Sequence, residues 1–450
     1  MSRREFRYHF TDMNTAFPPH ADDSWIRLSD RDFRNDPTRQ ADESGVDDEH
    51  IWAQDFWRIA RAVYLADRRS ARDSTDDNWT RTIRLSVQVY EPCRWKAQSD
   101  RLESLLELLT GDRWEILIHG GITSISITPN LVDHPPTSVV LFSGGLDSTA
   151  YAAYRAARLG DSERIRFVAF DTTVKKPQQS IFTSLTHLVP RQRSLRERMV
   201  LAPTRLLPTG NLDSTNRSRS LTYIAAAIRT AARENVSDVV VPENGQLAIN
   251  PPLTPGRRAA CSTRSVHPWI IGTVNRLIAD VGGSVRVRNP LLSATKGEVC
   301  RCALDSGLAP ETLLQTVSCG RPTTARWDSG RTYFNCGICF PCLVRRSGLH
   351  AALGGYDDSG YAHTLSSIDL TDMSEQGRKN ASHLRDLIRW IDAPFTVDDL
   401  LADTPYPPTT SPQSVMPVLE RGRGELGTML TDLVPDLYPV RRPLLELHRR

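Results

Sequence analysis

Two short stretches of this chain carry residue types whose spacing could hold a ligand. The first is Ser143-Gly144-Gly145-Leu146-Asp147-Ser148-Thr149, set between the apolar run Ser138 to Phe142 and an alanine-rich segment (Ala150, Ala152, Ala153, Ala156, Ala157). A strand that runs into paired glycines and then a helix turns backbone N–H groups inward, and the helix start adds positive potential. The hydroxyls of Ser143, Ser148 and Thr149 add donors, so the expected guest is a phosphate group. The stretch does not end in Gly-Lys-Ser/Thr, and its glycines are not spaced Gly-x-Gly-x-x-Gly. Both a Walker loop and a dinucleotide fingerprint are thereby excluded. Asp147 also has a plainer reading, since an acid in the first turn of a helix offsets the dipole.

The second stretch is Cys319 followed by Cys336-Gly337-Ile338-Cys339-Phe340-Pro341-Cys342. Two consecutive Cys-x-x-Cys steps and one distant thiol can close a tetrahedron around zinc. With all four positions filled by sulfur no place remains for water, so the expected metal is structural and contributes to folding. An iron–sulfur cluster also accepts four cysteines and is the competing metal. Cys300 and Cys302, two apart on an expected helix, point away from one another. With Cys93 and Cys261 they are read as small apolar residues.

Hydrophobic periodicity outlines the elements that must position these stretches. Ser138 to Phe142, Ile165 to Phe170 and Asp238 to Val241 are near-continuous apolar strands, separated by helices from Thr149 and from Ser218. This pattern predicts an α/β fold over 137–349: an open parallel sheet with helices on both faces. Phe170 closes the second strand, at the carboxyl edge where an adenine pocket is expected. Upstream lie an Asp-rich stretch from Asp36 to Asp48 and a helical pattern from Ile51 to Arg69. Next come a period-two strand (Ile83, Leu85, Val87, Val89), which implies a half-buried sheet, a leucine-rich helix (Leu102, Leu105, Leu106, Leu109) and a strand at Trp114 to Ile118. We read 1–136 as an α+β accessory domain that ends at Pro135-Pro136. Residues 350–450 read as a helical extension with Leu384, Leu387, Ile388 and Ile391 on one face and a Pro-rich loop from Pro405 to Pro417. That extension carries no chemical signal.

At 450 residues the chain is long enough for two or three units. Its formal net charge of +3 is too mild to announce a nucleic-acid surface, and the basic runs Arg191 to Arg198 and Arg257-Arg258 read as solvated faces. Nucleic acid is therefore not an expected partner. The start, MSRREFRYHF, lacks the apolar core of a signal peptide. Nowhere does an uncharged apolar run reach the roughly 18 residues of a membrane span, so a cytoplasmic protein without membrane contact is expected.

The segment SGGLDST resembles the signature of the PP-loop ATP pyrophosphatases, of the adenine nucleotide alpha hydrolase-like fold. Followed by Cys319 and Cys336-x-x-Cys339-x-x-Cys342, it resembles the 7-cyano-7-deazaguanine synthase family of queuosine biosynthesis. Arg219-Ser220-Leu221-Thr222-Tyr223, Asn289-Pro290-Leu291 and Thr295-Lys296 are similar to further stretches of that family, and the likeness covers about Ser138 to Leu349. Ser220 replaces the family's asparagine. Glu243-Asn244-Gly245 and Ser262-Thr263-Arg264-Ser265-Val266-His267-Pro268 resemble the larger synthase-like proteins of bacterial anti-phage operons, of the Qat and type IV CBASS kinds.

The resemblance implies that Ser143, Gly144, Gly145, Leu146, Asp147, Ser148 and Thr149 grip the pyrophosphate of ATP, with Mg²⁺ held through Asp147 or water. It implies transfer of AMP to a deazaguanine-type carboxylate with release of pyrophosphate, then attack by ammonia or another amine to give an amide and AMP; where the amine is ammonia, a second adenylation dehydrates the amide to a nitrile. It adds an amine on a partner protein of the same operon as an alternative acceptor. Attack on the α-phosphorus builds negative charge. Lys296 and Arg219 are the candidate cations, with plainer readings as a solvated helix-start lysine and as a surface partner of an acidic neighbour. Arg264 is a candidate for contact with the acid or the amine, whereas His267 reads first as a hydrogen-bonded loop residue. Two other readings remain: a tRNA-modifying PP-loop enzyme, and a catalytically silent scaffold of a defence complex.

Overall fold

The computed structural model describes residues 5–11, 22, 24–33, 50–122, 136–160, 163–170, 175–188, 199–202, 206, 212–254, 264–320, 326–328, 331–372 and 374–434. The Asp36 to Asp48 stretch, Pro135, Arg191 to Arg198, Arg257-Arg258 and Cys261 lie outside them. The architecture is α/β, with two parallel sheets flanked by helices and a helical C-terminal region. Among the described residues no helix is long and apolar enough to cross a membrane.

The first sheet is built from β1 (Glu5–Phe10), β2 (Ile26–Leu28), β3 (Thr82–Gln88) and β4 (Arg113–His119), in the order β2-β1-β3-β4. Every pairing in it is parallel. Helices α1 (Ile51–Arg69) and α2 (Ser99–Thr110) accompany it. A half-buried sheet was expected from the alternation in β3; it holds at Thr82 and Arg84 and along β4, and fails at the end of β3. Ser86 and Gln88, on the polar side of the alternation, are as buried as Leu85 and Val87. They are tolerated because each is hydrogen-bonded: Ser86 to His119 at 3.2 Å, and Gln88 as acceptor from Thr11 at 2.7 Å.

The second sheet holds β5 (Ser138–Leu141), β6 (Ile165–Phe170), β7 (Met199–Ala202), β8 (Asp238–Val240) and β9 (Arg286–Arg288), all parallel, in the order β7-β6-β5-β8-β9. Its strands bury both faces. Val139 and Leu141 join one apolar cluster with α1 and with helix α5 (Arg219–Arg233), whereas Val140 and Phe142 join another with α3 (Leu146–Ala156) and α4 (Lys175–Thr186). That explains near-continuous apolar strands where a one-sided sheet would alternate. The first cluster also contains Tyr8, Phe10, Ile83 and Ile116 of the N-terminal sheet, so a single core runs from one sheet to the other.

The remaining helices used below are α6 (Gly245–Ile249), α7 (Pro268–Asp280), α8 (Lys296–Asp305), α9 (Phe340–Ala352), α10 (Glu375–Asp392) and α11 (Pro412–Leu433). Leu384, Leu387 and Ile388 of α10 are buried together. Two boundaries differ from the sequence reading. Helix α3 begins at Leu146, not Thr149, because extended Gly145 is its N-cap and Asp147 falls in its first turn. The Pro-rich loop ends sooner than Pro417, which lies inside α11. The helix continues past it because Val415, Val418 and Leu419 are buried with Ile249 and Leu400, and packing outweighs the single N–H that proline lacks near a helix start.

Candidate active site and metal centre

In the central sheet the chain moves outward from β5 through β6 to β7, then returns to place β8 on the other side of β5. The connections after β5 and β8 therefore leave in opposite directions and open a crevice at the carboxyl ends of those strands, where ligands of open α/β sheets sit. The loop after β5 is Phe142 to Gly145, and the loop after β8 is Val241 to Asn244.

Gly144 adopts φ 71°, and a Cβ there would lie 2.9 Å from the Gln178 Cα. Glycine is required on both counts. Gln178 in turn donates to the Phe142 carbonyl at 2.8 Å and fixes the strand end. Gly145 N–H donates to Ser143 Oγ at 3.1 Å, and the hydroxyls of Ser143 and Ser148 are 3.2 Å apart. Leu146 N–H donates to Ser318 Oγ at 3.3 Å. These N–H and O–H groups surround one turn at the start of α3, a nest suited to an anion. Leu146 and Thr149 side chains are fully buried, so Leu146 offers the loop its N–H alone.

Asp147 is buried and accepts from Lys296 Nζ at 2.5 Å and from Asn244 Nδ2 at 3.1 Å, both on Oδ2. Its Oδ1 is buried, and among the described residues no backbone, amide, ammonium or alcohol donor reaches it. Glu243 is the next acid: it accepts from the same Asn244 amide at 3.2 Å and hydrogen-bonds the Asp147 carboxyl. Burial alone would push Asp147 up, but the Lys296 charge holds it below the usual carboxylate range. Burial and the Asp147 charge drive Glu243 well above that range, so Glu243 holds the proton the pair shares. Glu243 is partly exposed, whereas Asp147, Asn244 and Lys296 are buried.

The other expected residues are distributed around this cluster. The ring of Phe170 stacks on Tyr223 with centroids 3.5 Å apart and planes 14° apart, and the Arg219 guanidinium lies 5.6 Å over Tyr223. Arg219 is thus at the start of α5, beside the end of β6. Arg264 donates to Thr404 Oγ1 at 2.7 Å and pairs with Asp403 at 2.8 Å, which ties it to the C-terminal region. His267 caps α7, accepting from Trp269 N–H at 3.2 Å, and burial pushes its ring down to about 3.

The four cysteines come together. Cys319 and Cys339 sulfurs are 4.0 Å apart, Cys336 and Cys342 sulfurs are 3.8 Å apart, and all four lie within 4.8 Å of one another. The Sγ–Sγ edge of a tetrahedral tetrathiolate is about 3.8 Å, so this set can hold a metal ion. Gly337, at φ 84°, makes the turn of the first Cys-x-x-Cys step, and Cys339 N–H donates to Cys336 Sγ at 3.3 Å. Hydrogen bonds from Cys336, Cys339 and Cys342 hold the Cys319 thiol far below its ordinary value. Elsewhere burial pushes the Cys300 thiol up to about 12. Cys93 is exposed, unlike the apolar role expected of it.

The two centres are joined. Ser318, the loop's hydrogen-bond partner, precedes Cys319, and its N–H donates to Asn335 Oδ1 at 3.0 Å, next to Cys336. No protein-family model matches this chain, and no curated protein matches it. Sequence reasoning did not place Glu243, Asn244 or Ser318 in the site. For Glu243 and Asn244 the signal was their position at the end of the strand that flanks the switch. Lys296 carried a signal of its own: only five lysines stand among 56 basic residues, and this one is buried.

Proposed function

We propose that the chain is an ATP-dependent ligase of the PP-loop kind, built like a 7-cyano-7-deazaguanine synthase and carrying structural Zn²⁺. It adenylates a carboxylate of the 7-deazaguanine type and passes it to ammonia or another amine. The observation that carries this reading is the Asp147–Lys296 ion pair, buried at the switch-point crevice against an N–H-lined loop. Ser143, Gly145, Leu146 and Ser148 hold the pyrophosphate, and Lys296 offsets charge that builds at the α-phosphorus. Asp147 would be the residue to hold Mg²⁺, directly or through water, and the ion would supply neutralisation of phosphate charge. Partly exposed Glu243 is the group of the cluster within reach of an incoming amine. At the end of β6 the Phe170 ring is buried and already stacked on Tyr223, so of that edge the Arg219 guanidinium is the group placed to meet a flat heterocycle.

The deciding experiment is mass spectrometry of products after incubation with ATP, Mg²⁺, 7-carboxy-7-deazaguanine and candidate amines, with partner proteins of the same operon weighed intact. AMP, pyrophosphate and an amide or nitrile are expected. Failure to release AMP with any acid points instead to a scaffold. For the metal, Cys339→Ser should strip zinc from the purified protein and lower Tm, since binding at such sites contributes about 10 kcal/mol to folding. Elemental analysis that finds iron in the wild type would refute the zinc assignment.

A further inference from the structure

Lys296 opens α8, and the first turn of a helix leaves N–H groups without partners. The local capping box accounts for part of them. Thr295 Oγ1 accepts from Glu298 N–H at 3.1 Å, and Glu298 returns a bond to Thr295 N–H at 2.9 Å. The two N–H groups between are satisfied from outside. Lys296 N–H donates to Gln246 Oε1 of α6 at 2.9 Å, and Gly297 N–H donates to Glu425 Oε2 of α11 at 3.1 Å. Glu425 also receives the Thr295 hydroxyl.

Three glycines make this closeness sterically possible. A Cβ on Gly297 would lie 2.4 Å from Glu425 Oε1, one on Gly422 of α11 would lie 2.4 Å from Gln246, and one on Gly348 of α9 would lie 2.3 Å from Lys296 Cγ. Gln246 therefore sits between α11 and the Lys296 backbone, and Gly348 lets α9 close over the Lys296 stem. On the outside, Arg421 of α11 pairs with Glu298 at 2.7 Å and donates to the Ser293 carbonyl at 2.8 Å. The helix that carried no chemical signal is thus bonded on both sides of the residue that meets Asp147.

We propose that Glu425 is a positioning residue for Lys296, acting through the first turn of α8, so that the C-terminal helix is part of the apparatus at the phosphate loop. Its carboxylate fixes the backbone from which the Lys296 side chain extends, and the ammonium then falls on Asp147 Oδ2. The kinetic consequence rests on the ATP-cleaving reading above. The geometric one does not.

The test compares wild type, Glu425→Ala, Glu425→Gln and Leu430→Ala, the last a buried α11 position in the cluster around the cysteines. Brief acetylation with acetic anhydride, read by peptide mass, measures Lys296 against exposed Lys96 and Lys379. Loss of a hydrogen bond to a charged acceptor should raise Lys296 labelling about tenfold in Glu425→Ala. Glu425→Gln, which keeps an acceptor oxygen, should restore protection, and Leu430→Ala should lower Tm without unmasking Lys296. If ATP is cleaved, Glu425→Ala should also lose about tenfold in kcat with little change in KM for ATP. Unchanged Lys296 labelling in Glu425→Ala, or equal labelling in Leu430→Ala, overturns the proposal. Absence of ATP cleavage in the wild type overturns the ligase reading and leaves the labelling result to decide this one.

Discussion

Two buried ion clusters in this molecule look alike in composition and differ in completeness. Beneath the N-terminal sheet, Asp67 and Asp112 face Arg81 and Arg72. Arg81 Nη2 is 2.5 Å from each acid, its Nη1 donates to the carbonyls of Asp67 and Ser70, and Arg72 adds a bond of 2.8 Å to Asp112. Every carboxylate oxygen there has a donor, and the two acids meet Arg81 and Arg72 with a third guanidinium, Arg217, close by. At the loop after β5 two acids, Asp147 and Glu243, share one proton and, among the described residues, meet the single cation Lys296, and Glu243 is partly open to solvent. A closed network specifies a structure. An open one leaves charge to be satisfied by something that arrives.

The sharpest way to break that contrast is to remove the cation from each. Arg81→Met takes the cation from buried Asp67 and leaves buried Asp112 with Arg72 alone, and should cost about 3–5 kcal/mol in urea unfolding. Lys296→Met should cost less stability, because Asp147 can share the Glu243 proton, yet under the proposed ligase reading it should reduce ATP cleavage by about two orders of magnitude or more. Equal stability losses with equal activity would erase the distinction. His267 extends the comparison to a buried group with no charge at all. It titrates near 6.5 in an unfolded chain and near 3 in the fold, so below pH 6.5 the unfolded chain binds the extra proton. Its contribution is complete above pH 6.5 and is lost as pH falls. His267→Asn keeps an N-cap acceptor and removes the titration, so at pH 5 the variant should be spared about 2 kcal/mol of acid destabilisation. Parallel stability–pH curves would contradict this.

The loop and the cysteines were legible because each is a contiguous or near-contiguous set whose chemistry is local. Paired glycines before a helix, and thiols three apart, predict their own geometry. The parallel central sheet was legible for a similar reason, since Ser138 to Phe142 and Ile165 to Phe170 bury both faces and show it in composition. What could not be read depends on long-range topology. Glu243 meets Asp147 because β8 pairs with β5, and Glu425 reaches Gly297 across 128 residues of chain. The end of β3 hid its own burial, because Ser86 and Gln88 are polar residues satisfied by partners that alternation does not reveal. Pro417 misled for the opposite reason: its local rule was sound, and tertiary packing overrode it.

The bond between Asp67 and Ser218 has a consequence for how this chain comes to be folded. Asp67 Oδ2 receives both the N–H, at 3.3 Å, and the hydroxyl of Ser218, a residue 151 positions later and the N-cap of α5. On a ribosome, α1 and β3 emerge while that partner is still unsynthesised, so the acid waits with one oxygen exposed and the α1 face that packs on α5 uncovered. Chains halted before Ser218 should accordingly be sticky and protease-sensitive. A separately made N-terminal fragment should become compact only when the rest of the polypeptide is supplied.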